Sequence, residues 1–457
     1  IYDHVGFGFH RYSTDSHWLV PHFEKMLYDQ AMLAMAYTEA YQATGINEFE
    51  ETAKEIFTYV LRDMTDKEGG FYSAEDADSE GVEGKFYVWT EDEIRQTLKG
   101  DEADLIINVY SIDKIGNFRD EASGENTGAN ILHLNKSLTE IAFKNKESVD
   151  GLKESVEAAR QKLFAVRNKR VHPHKDDKIL TDWNGLMIAA LAKGAQAFDE
   201  PKYAEAAKRA ADFILTGMRR EDGRILHRYR DGHTAILANV DDYAFLIWGL
   251  LELYETVFDV DYLQTALDLN SEMIKYFWDE KDGGFYFTAE DAEELIVRQK
   301  EIYDGAIPSG NSVAVSNLFR LSRITANTDF EDKANKIMLA FSKDVESAPS
   351  GYTQMMVALG FGIGPSYEIV IVGNPEADDT KEMLSSLGKH FIPYKVVLLK
   401  HDDQETADIT RIAEYTEYHS SFDGKATAYV CLDFACKMPV TNTEEMLKLL
   451  NVSSSSN

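Results

Sequence analysis

Aspartate recurs at the start of helical patterns in this sequence, and carboxylates gathered at helix starts can move protons. Asp182-Trp183-Asn184, Asp241-Asp242-Tyr243 and Ser309-Gly310-Asn311 each open an apolar helical run, and His22-Phe23-Glu24-Lys25 opens another that carries Asp29. Glycine-bearing connections add His10, Arg11, Glu75, Asp76, Asp78 and Asp304. Paired carboxylates can act as acid and base, or acid and nucleophile, at a glycosidic bond, while Trp183, Tyr243 and Tyr12 can stack on the apolar faces of sugars. His22 can serve as the general base of an epimerisation near neutral pH. A plainer reading stands beside this one: an aspartate at a helix start caps free N–H groups and suits the helix dipole, and a histidine can simply bond to a loop. His172-Pro173-His174 with Asp176 and Asp177 resembles a metal cluster, but the proline constrains its neighbours and no third fixed ligand is at hand, so no metal is expected. Cys431 and Cys436 alternate to opposite faces of one expected strand and read as packing residues, not a redox pair.

The elements that must position these residues form a repeat. An aromatic residue followed four positions later by alanine opens four segments: Phe49 and Ala53, Tyr203 and Ala207, Tyr262 and Ala266, Phe330 and Ala334. A glycine follows each aromatic after 20 or 21 residues, at Gly69, Gly223, Gly283 and Gly351, which implies a fixed helix length. These segments are apolar on one face only and read as outer helices; Leu186 to Phe198 and Tyr243 to Phe258 are apolar nearly all round and read as inner helices covered on every side. The glycines open extended connections, and GFGFHRYSTD from Gly6 matches GRILHRYRDG from Gly223, with His10-Arg11-Tyr12 against His227-Arg228-Tyr229. By that match the chain is expected to begin inside a connection, with an outer helix ahead of it. The interval from Phe49 to Tyr203 has room for one more hairpin, with helices near Thr90 to Tyr110 and Val149 to Arg167 around the loop SGENTGAN that begins at Ser123. The expected fold is mainly α, an (α/α)6 six-hairpin toroid incomplete at its N-terminus, over residues 1–365 with an insertion at about 79–150. Inner helices of such a ring all begin at one end, so their polar first turns converge on one mouth.

After Gly360 the pattern changes. Tyr367 to Gly373 and Tyr394 to Leu399 are β-branched runs separated by a helical stretch, Asp378 to His390, so residues 366–457 are expected to form a small α/β segment and tail. GFGIG at Gly360 precedes a strand instead of joining a strand to a helix, which argues against a dinucleotide site. Thr427 to Phe434 reads as a last strand, and Thr441 or Thr443 as the cap of a short helix.

Composition narrows the partners. The 457 residues carry a net charge of −32, which disfavours sequence-independent binding to nucleic acid or to an anionic membrane. Two cysteines cannot build a disulfide framework or a thiol zinc site, which suits a reducing cytoplasm, and no apolar run reaches the length of a spanning helix.

FHRYSTDSHWLVPHFEKMLYDQA from Phe9, GGFYSAEDADSEGVEGKFYVWT from Gly69, DDKILTDWNGLMIAAL from Asp176 and ATAYVC from Ala426 resemble the C-terminal region of the YyaL and spermatogenesis-associated thioredoxin-like proteins. The resemblance implies a six-hairpin glycosidase-like barrel related in fold to the N-acylglucosamine 2-epimerases. It also implies that a thioredoxin-like domain and a first hairpin precede this region in such proteins. Its recurrent polar residues fall on His10, Arg11, His22, Glu24, Asp29, Glu75, Asp76, Asp78, Asp182, Asn184 and Asp242. Phe7 departs from it, standing where the pattern usually has glycine. The expectation is therefore a carbohydrate-active enzyme of hydrolase or 2-epimerase class with His22, Glu24, Asp182 and Asp242 at its centre. Substrate contacts are expected from His10, Arg11, Tyr12, Asp29, Glu75, Asp76, Asp78, Trp183, Asn184, Asp241, Tyr243, Asp304 and Asn311, with no cofactor. The alternative is a non-catalytic sugar-binding or interaction module serving a thioredoxin-like domain. An open ring would expose an apolar groove, so association with an N-terminal piece or another copy is expected as well.

Overall fold

A computed structural model describes residues 1–119, 124–293, 296–402 and 408–452; Ser123, the first residue of the expected SGENTGAN loop, lies outside them. The fold is mainly α and built largely of helical hairpins, with a small α/β segment toward its C-terminus. Hairpins pair Leu27–Thr44 with Asn47–Asp63, Thr181–Phe198 with Pro201–Gly217, Val240–Val257 with Val260–Phe277, and Gly310–Thr325 with Thr328–Ala340. The turn inside each hairpin is short because the residue ending the first helix goes left-handed. Gly45 does so at φ 68°, and Asp199, Phe258 and Ala326 do so at 56°, 53° and 57° without glycine's freedom. Second helices bury one stripe, as Tyr203, Ala207, Ala210 and Ile214 show, while Thr181–Phe198 and Val240–Val257 are buried on nearly every side.

The chain divides into two compact units. The first comprises Ile1–Gln30, Glu55–Met64 and Tyr72–Asp177. Its helices Glu91–Thr97, Asp101–Val109, Leu138–Asn145 and Val149–Arg167 enclose a core around Trp89, Ile94, Ile106, Leu152 and Leu163. The single helix expected over Thr90 to Tyr110 is two helices, because Leu98 is extended and Gly100 turns at φ 58° before Asp101. Beneath the first residues lies a buried charge triad: Asp3 accepts from Lys25 Nζ at 2.7 Å and from Arg167 Nη1 and Nη2 at 2.7 and 2.8 Å. Phe7 takes a glycine-like φ of 69°, and its carbonyl accepts from Lys25 at 2.7 Å.

The second unit comprises Ala31–Lys54, Thr65–Phe71 and Lys178–Asn457. Within it Thr181–Phe198 and Val240–Val257 run parallel and touch backbone to backbone. A Cβ on Gly185 would lie 2.5 Å from the Phe245 carbonyl carbon, and one on Gly249 would lie 2.7 Å from the Gly185 oxygen. Asp182 precedes Gly185 by the same number of residues as Asp242 precedes Phe245, so this crossing brings the two aspartates together.

The α/β segment orders its strands as Lys395–Lys400, Tyr367–Val372, Thr427–Leu432 and Ala435–Cys436, the first two parallel and the rest antiparallel. Helix Asp378–Lys389 is the crossover, packing Met383 and Leu387 on Ile369, Ile371, Val397 and Val430. Two expectations are corrected here. The short terminal helix Thr443–Leu449 is capped by Asn442, whose side chain accepts from the Glu445 N–H, and not by Thr441 or Thr443. Cys431 and Cys436 do not point to opposite faces of one strand: Asp433 and Phe434 turn left-handed at φ 48° and 63°, the chain doubles back, and the two cysteines become cross-strand partners joined in a disulfide.

Candidate functional site

In the second unit, one cluster has the composition of an acid–base centre. Asp242 is wholly buried in the first turn of Val240–Val257, where Asn239 caps the helix and its own backbone N–H donates to Asp242 Oδ2 at 2.8 Å. The Asp182 N–H donates to Asp242 Oδ1 at 3.0 Å, and His227 Nδ1 donates to Oδ1 at 2.9 Å and Oδ2 at 3.1 Å. His227 reaches the cluster from strand Leu226–Arg230, whose register is held by pairing Arg228 with Leu180, the residue just before Thr181–Phe198. Asp182 accepts from the Trp183 N–H at 2.8 Å and leaves only 6% of its surface exposed.

The electrostatics follow from this packing. Burial, then the charge of Asp242, pushes the Asp182 carboxyl well above the usual carboxylate range, which favours its protonated form. Burial alone would lower His227, but the hydrogen bond and charge of Asp242, together with Asp182, lift it to about 9. Asp241, half-buried and beside Asp242, is raised by desolvation and by that neighbour to about 7, while its Oδ1 accepts from the Gly310 N–H at 2.8 Å. Burial and the neighbouring carboxylate thus favour the protonated form of Asp182, while the contact with Asp242 favours the charged form of His227. Asp182, His227 and Asp242 also offer one metal-ligating atom each within 4.8 Å of one another. Both Asp242 oxygens already accept N–H groups, so the donor set is built as a hydrogen-bonded acid–imidazole cluster and fits a cation poorly.

In the first unit, a chain of polar contacts runs through His22. Arg11 Nη1 pairs with Glu24 Oε2 at 3.1 Å, the same oxygen lies 3.3 Å from His22 Nε2, and His22 Nδ1 lies 2.8 Å from Glu83 Oε1. Tyr12, half exposed, sets its ring edge-on to His22. His22 and Glu24 do not open a helix as expected: His22 lies in the strand Pro21–His22, and the helix begins at Leu27. Asp29, on that helix, is pushed up to about 7 by burial and by Glu24, against Arg11, and its Oδ2 is buried without a partner.

Other candidates hold the fold. Asn184 accepts from the Phe71 N–H at 2.8 Å and donates to the Phe71 and Leu180 carbonyls. Asn311 repeats the device on Phe285, accepting its N–H at 2.8 Å and donating to its carbonyl and to that of Glu301. The two glycine–phenylalanine connections of the repeat are therefore clamped alike. Asp304 accepts from the N–H groups of Ser309, Gln354 and Met355, Glu75 from the Tyr59 hydroxyl, and His10 Nδ1 lies against the Phe23 carbonyl. Tyr243 is fully buried with its hydroxyl on Glu272, so it packs and cannot stack on a sugar. Asp76 and Asp78 are exposed.

His227 and Glu83 were not among the expected residues. For His227 the signal was present, since the repeat aligns it with His10; Glu83 carried none beyond its acidity.

No family model matches the chain. Among solved structures it is similar to a sugar epimerase from a ruminal bacterium, at 12% identity and TM-score 0.40 over 79% of this chain and 65% of that one. It is also similar to a GH76 α-mannanase of Bacteroides thetaiotaomicron, at 13% identity and TM-score 0.43 over 80% and 73%. Among curated relatives, an uncharacterized protein of Caenorhabditis elegans is 33% identical over 99% of this chain and 64% of its own length. Human spermatogenesis-associated protein 20 is 36% identical over 99% of this chain and 61% of its own length. The chain thus spans about three fifths of the human relative. That likeness runs along nearly the whole of this chain, whose homologues include human and mouse spermatogenesis-associated protein 20.

Proposed function

We propose that the chain is a carbohydrate-active enzyme whose second unit supplies the proton for breaking a sugar C–O bond, either a glycosidic bond or the hemiacetal bond of a ring. The reading rests on one observation: the buried Asp182 carboxyl, pushed toward its protonated form, shares the buried Asp242 side chain with the His227 imidazole. Asp182 donates the proton to the leaving oxygen, His227 offers positive charge to the oxygen as electrons arrive, and Asp242 positions both. Trp183, half-buried next to Asp182, is the aromatic surface for the sugar ring. Hydrolysis and 2-epimerisation share this acid step and part afterwards, at the water or base that follows. In the first unit His22 and Glu24, tied by Arg11 and Glu83, form a polar cluster of their own, proposed as a separate acid–base candidate.

The test is turnover of a panel of aryl glycosides, disaccharides and reducing sugars, followed by NMR. Asp182→Asn keeps shape and backbone contacts but removes the proton, and should lower kcat by about 10²- to 10⁴-fold with little change in unfolding temperature. A folded Asp182→Asn protein that turns over its sugar normally would end the proposal. Sugar binding without turnover by the unmodified chain would favour the non-catalytic module instead.

A further inference from the structure

The second unit contains a cavity of about 380 Å³ that no member of the acid–base cluster lines. Lys193 and Gln196 are on its wall, 11 and 14 residues beyond Asp182 on the same helix, which places it roughly 16 to 21 Å away along the axis. The walls come from Leu27–Thr44, Thr181–Phe198, Val240–Val257, Gly310–Thr325 and the helix Thr353–Ile363. The remaining side is the segment from His390 to Lys395, which leads into the strand Lys395–Lys400. The volume falls in the range of small-molecule pockets.

Its polar groups are mostly matched to one another, and the exceptions specify an occupant. Arg320 donates to Glu252 and Glu255, each at 2.8 Å, and Lys193 pairs with Glu39 at 3.0 Å. Three groups are left over. Asn317, 1% exposed, spends its amide N–H on the Ala244 carbonyl at 2.7 Å and leaves Oδ1 buried without a donor. Arg320 Nε is buried without an acceptor. Lys395, half-buried on the wall, feels Glu255 and Glu252 but makes no ion-pair contact among the described residues. An ammonium without an ion-pair contact can take an anion, and an orphaned amide oxygen calls for a hydroxyl or amine donor. The Trp248 ring, its N–H held by Glu252 at 3.2 Å, adds a flat apolar face to the wall.

We propose that this cavity is a second binding site, for a small anionic polyol such as a sugar carboxylate or sugar monophosphate, with its acid group on Lys395 and a hydroxyl on Asn317. The proposal does not depend on the acid–base cluster at the other end of the helices. It adds a site to the chain through which an anionic sugar would be held or sensed away from the reacting one. Burial, more than any neighbouring charge, lowers the Lys395 pKa, although Glu255 opposes this. An anion arriving there would therefore draw a proton onto Lys395 as it binds.

Isothermal titration of the full chain with gluconate, glucose 6-phosphate and glucose tests this. At least one of the two anions should bind, about tenfold or more tighter than glucose, with proton uptake visible as a buffer-dependent heat at alkaline pH. Gluconate alone would assign a carboxylate, glucose 6-phosphate alone a phosphate. Lys395→Met should weaken binding about tenfold or more and Lys395→Arg should largely restore it, while Asp182→Asn should leave it unchanged. Binding of neither anion, equal binding of glucose, or loss of anion binding in Asp182→Asn would overturn the assignment. If Lys395→Met fails to fold, the proton uptake by the unmodified chain decides: its absence rejects Lys395 as the anion's partner.

Discussion

The imidazole of His227 and the carboxylate of Asp242 meet through two contacts, 2.9 and 3.1 Å, with the Asp242 side chain wholly buried and 20% of the His227 side chain exposed. A buried carboxylate that grips one face of an imidazole fixes its tautomer and favours its charged form, leaving Nε2 free to act.

The first prediction concerns that pair. His227 is raised from 6.5 to about 9, so its contribution to stability is fully present below pH 6.5 and is lost as pH rises through about 9. Asp242→Asn should return the His227 titration, followed by its ring-proton NMR signals, to 6.5 or below. It should also cost on the order of 2 to 3 kcal/mol at mildly acid pH and less at strongly alkaline pH. A midpoint that stays near its unmodified value would show that Asp242 does not set it.

Asp29 has the opposite sign. Its carboxyl is raised from 3.8 to about 7, so the folded state holds the proton more tightly, and stability declines as pH climbs between those values. Asp29→Asn removes the cost. Above neutral pH it should stabilise the chain by about 1 to 3 kcal/mol in urea unfolding, with little effect in acid.

Asn184 serves three backbone groups at once, and Asn311 does the same in its own connection. Replacing either with alanine strands buried N–H and C=O groups, and each change should cost about 3 kcal/mol by thermal unfolding. Equal losses at the two positions would mark them as equivalent clamps.

Gly185→Ala sets two effects against each other. Alanine favours a helix by about 1 kcal/mol over glycine, yet its methyl would meet the Phe245 carbonyl carbon at 2.5 Å. Contact should win: destabilisation of about 1 to 3 kcal/mol, together with a lower His227 titration midpoint as Asp182 and Asp242 move apart. Net stabilisation would contradict the crossing geometry.

The cysteine pair offers a chemical test. Neither Cys431 nor Cys436 should react with an alkylating reagent in the denatured, unreduced chain, and both should react after reduction, read by mass. Because the bridge closes a short loop, its removal should cost only about 2 kcal/mol.

Helical hairpins were legible from sequence because burial imposes a periodicity on the residues themselves. The aromatic–alanine marks, the all-round apolar run of Tyr243 to Phe258 and the β-branched runs at Tyr367 and Tyr394 are local consequences of which faces meet water. Asp182 and Asp242 were legible as candidates by the same logic, as polar residues opening helices too apolar to have a wet face. Asn184 and Asn311 stood out equally, but polarity at a helix start cannot distinguish a proton donor from a backbone clamp.

The tertiary structure decided how those residues combine. Gly185 lets two parallel helices touch, and the extended connection lays His227 on Asp242; both depend on contacts between segments whose separation in sequence carries no period. The same holds for the cysteines, where two left-handed residues, Asp433 and Phe434, reverse a strand without a glycine to announce the turn. It holds for the cavity beyond Lys193, whose unmatched groups, Asn317 and Lys395, come from a helix and a strand far apart in the chain. Sequence by itself determined which elements form, because each element's burial pattern is written in its own residues. Only the packed chain decided which polar groups face one another, because that follows from distances between elements.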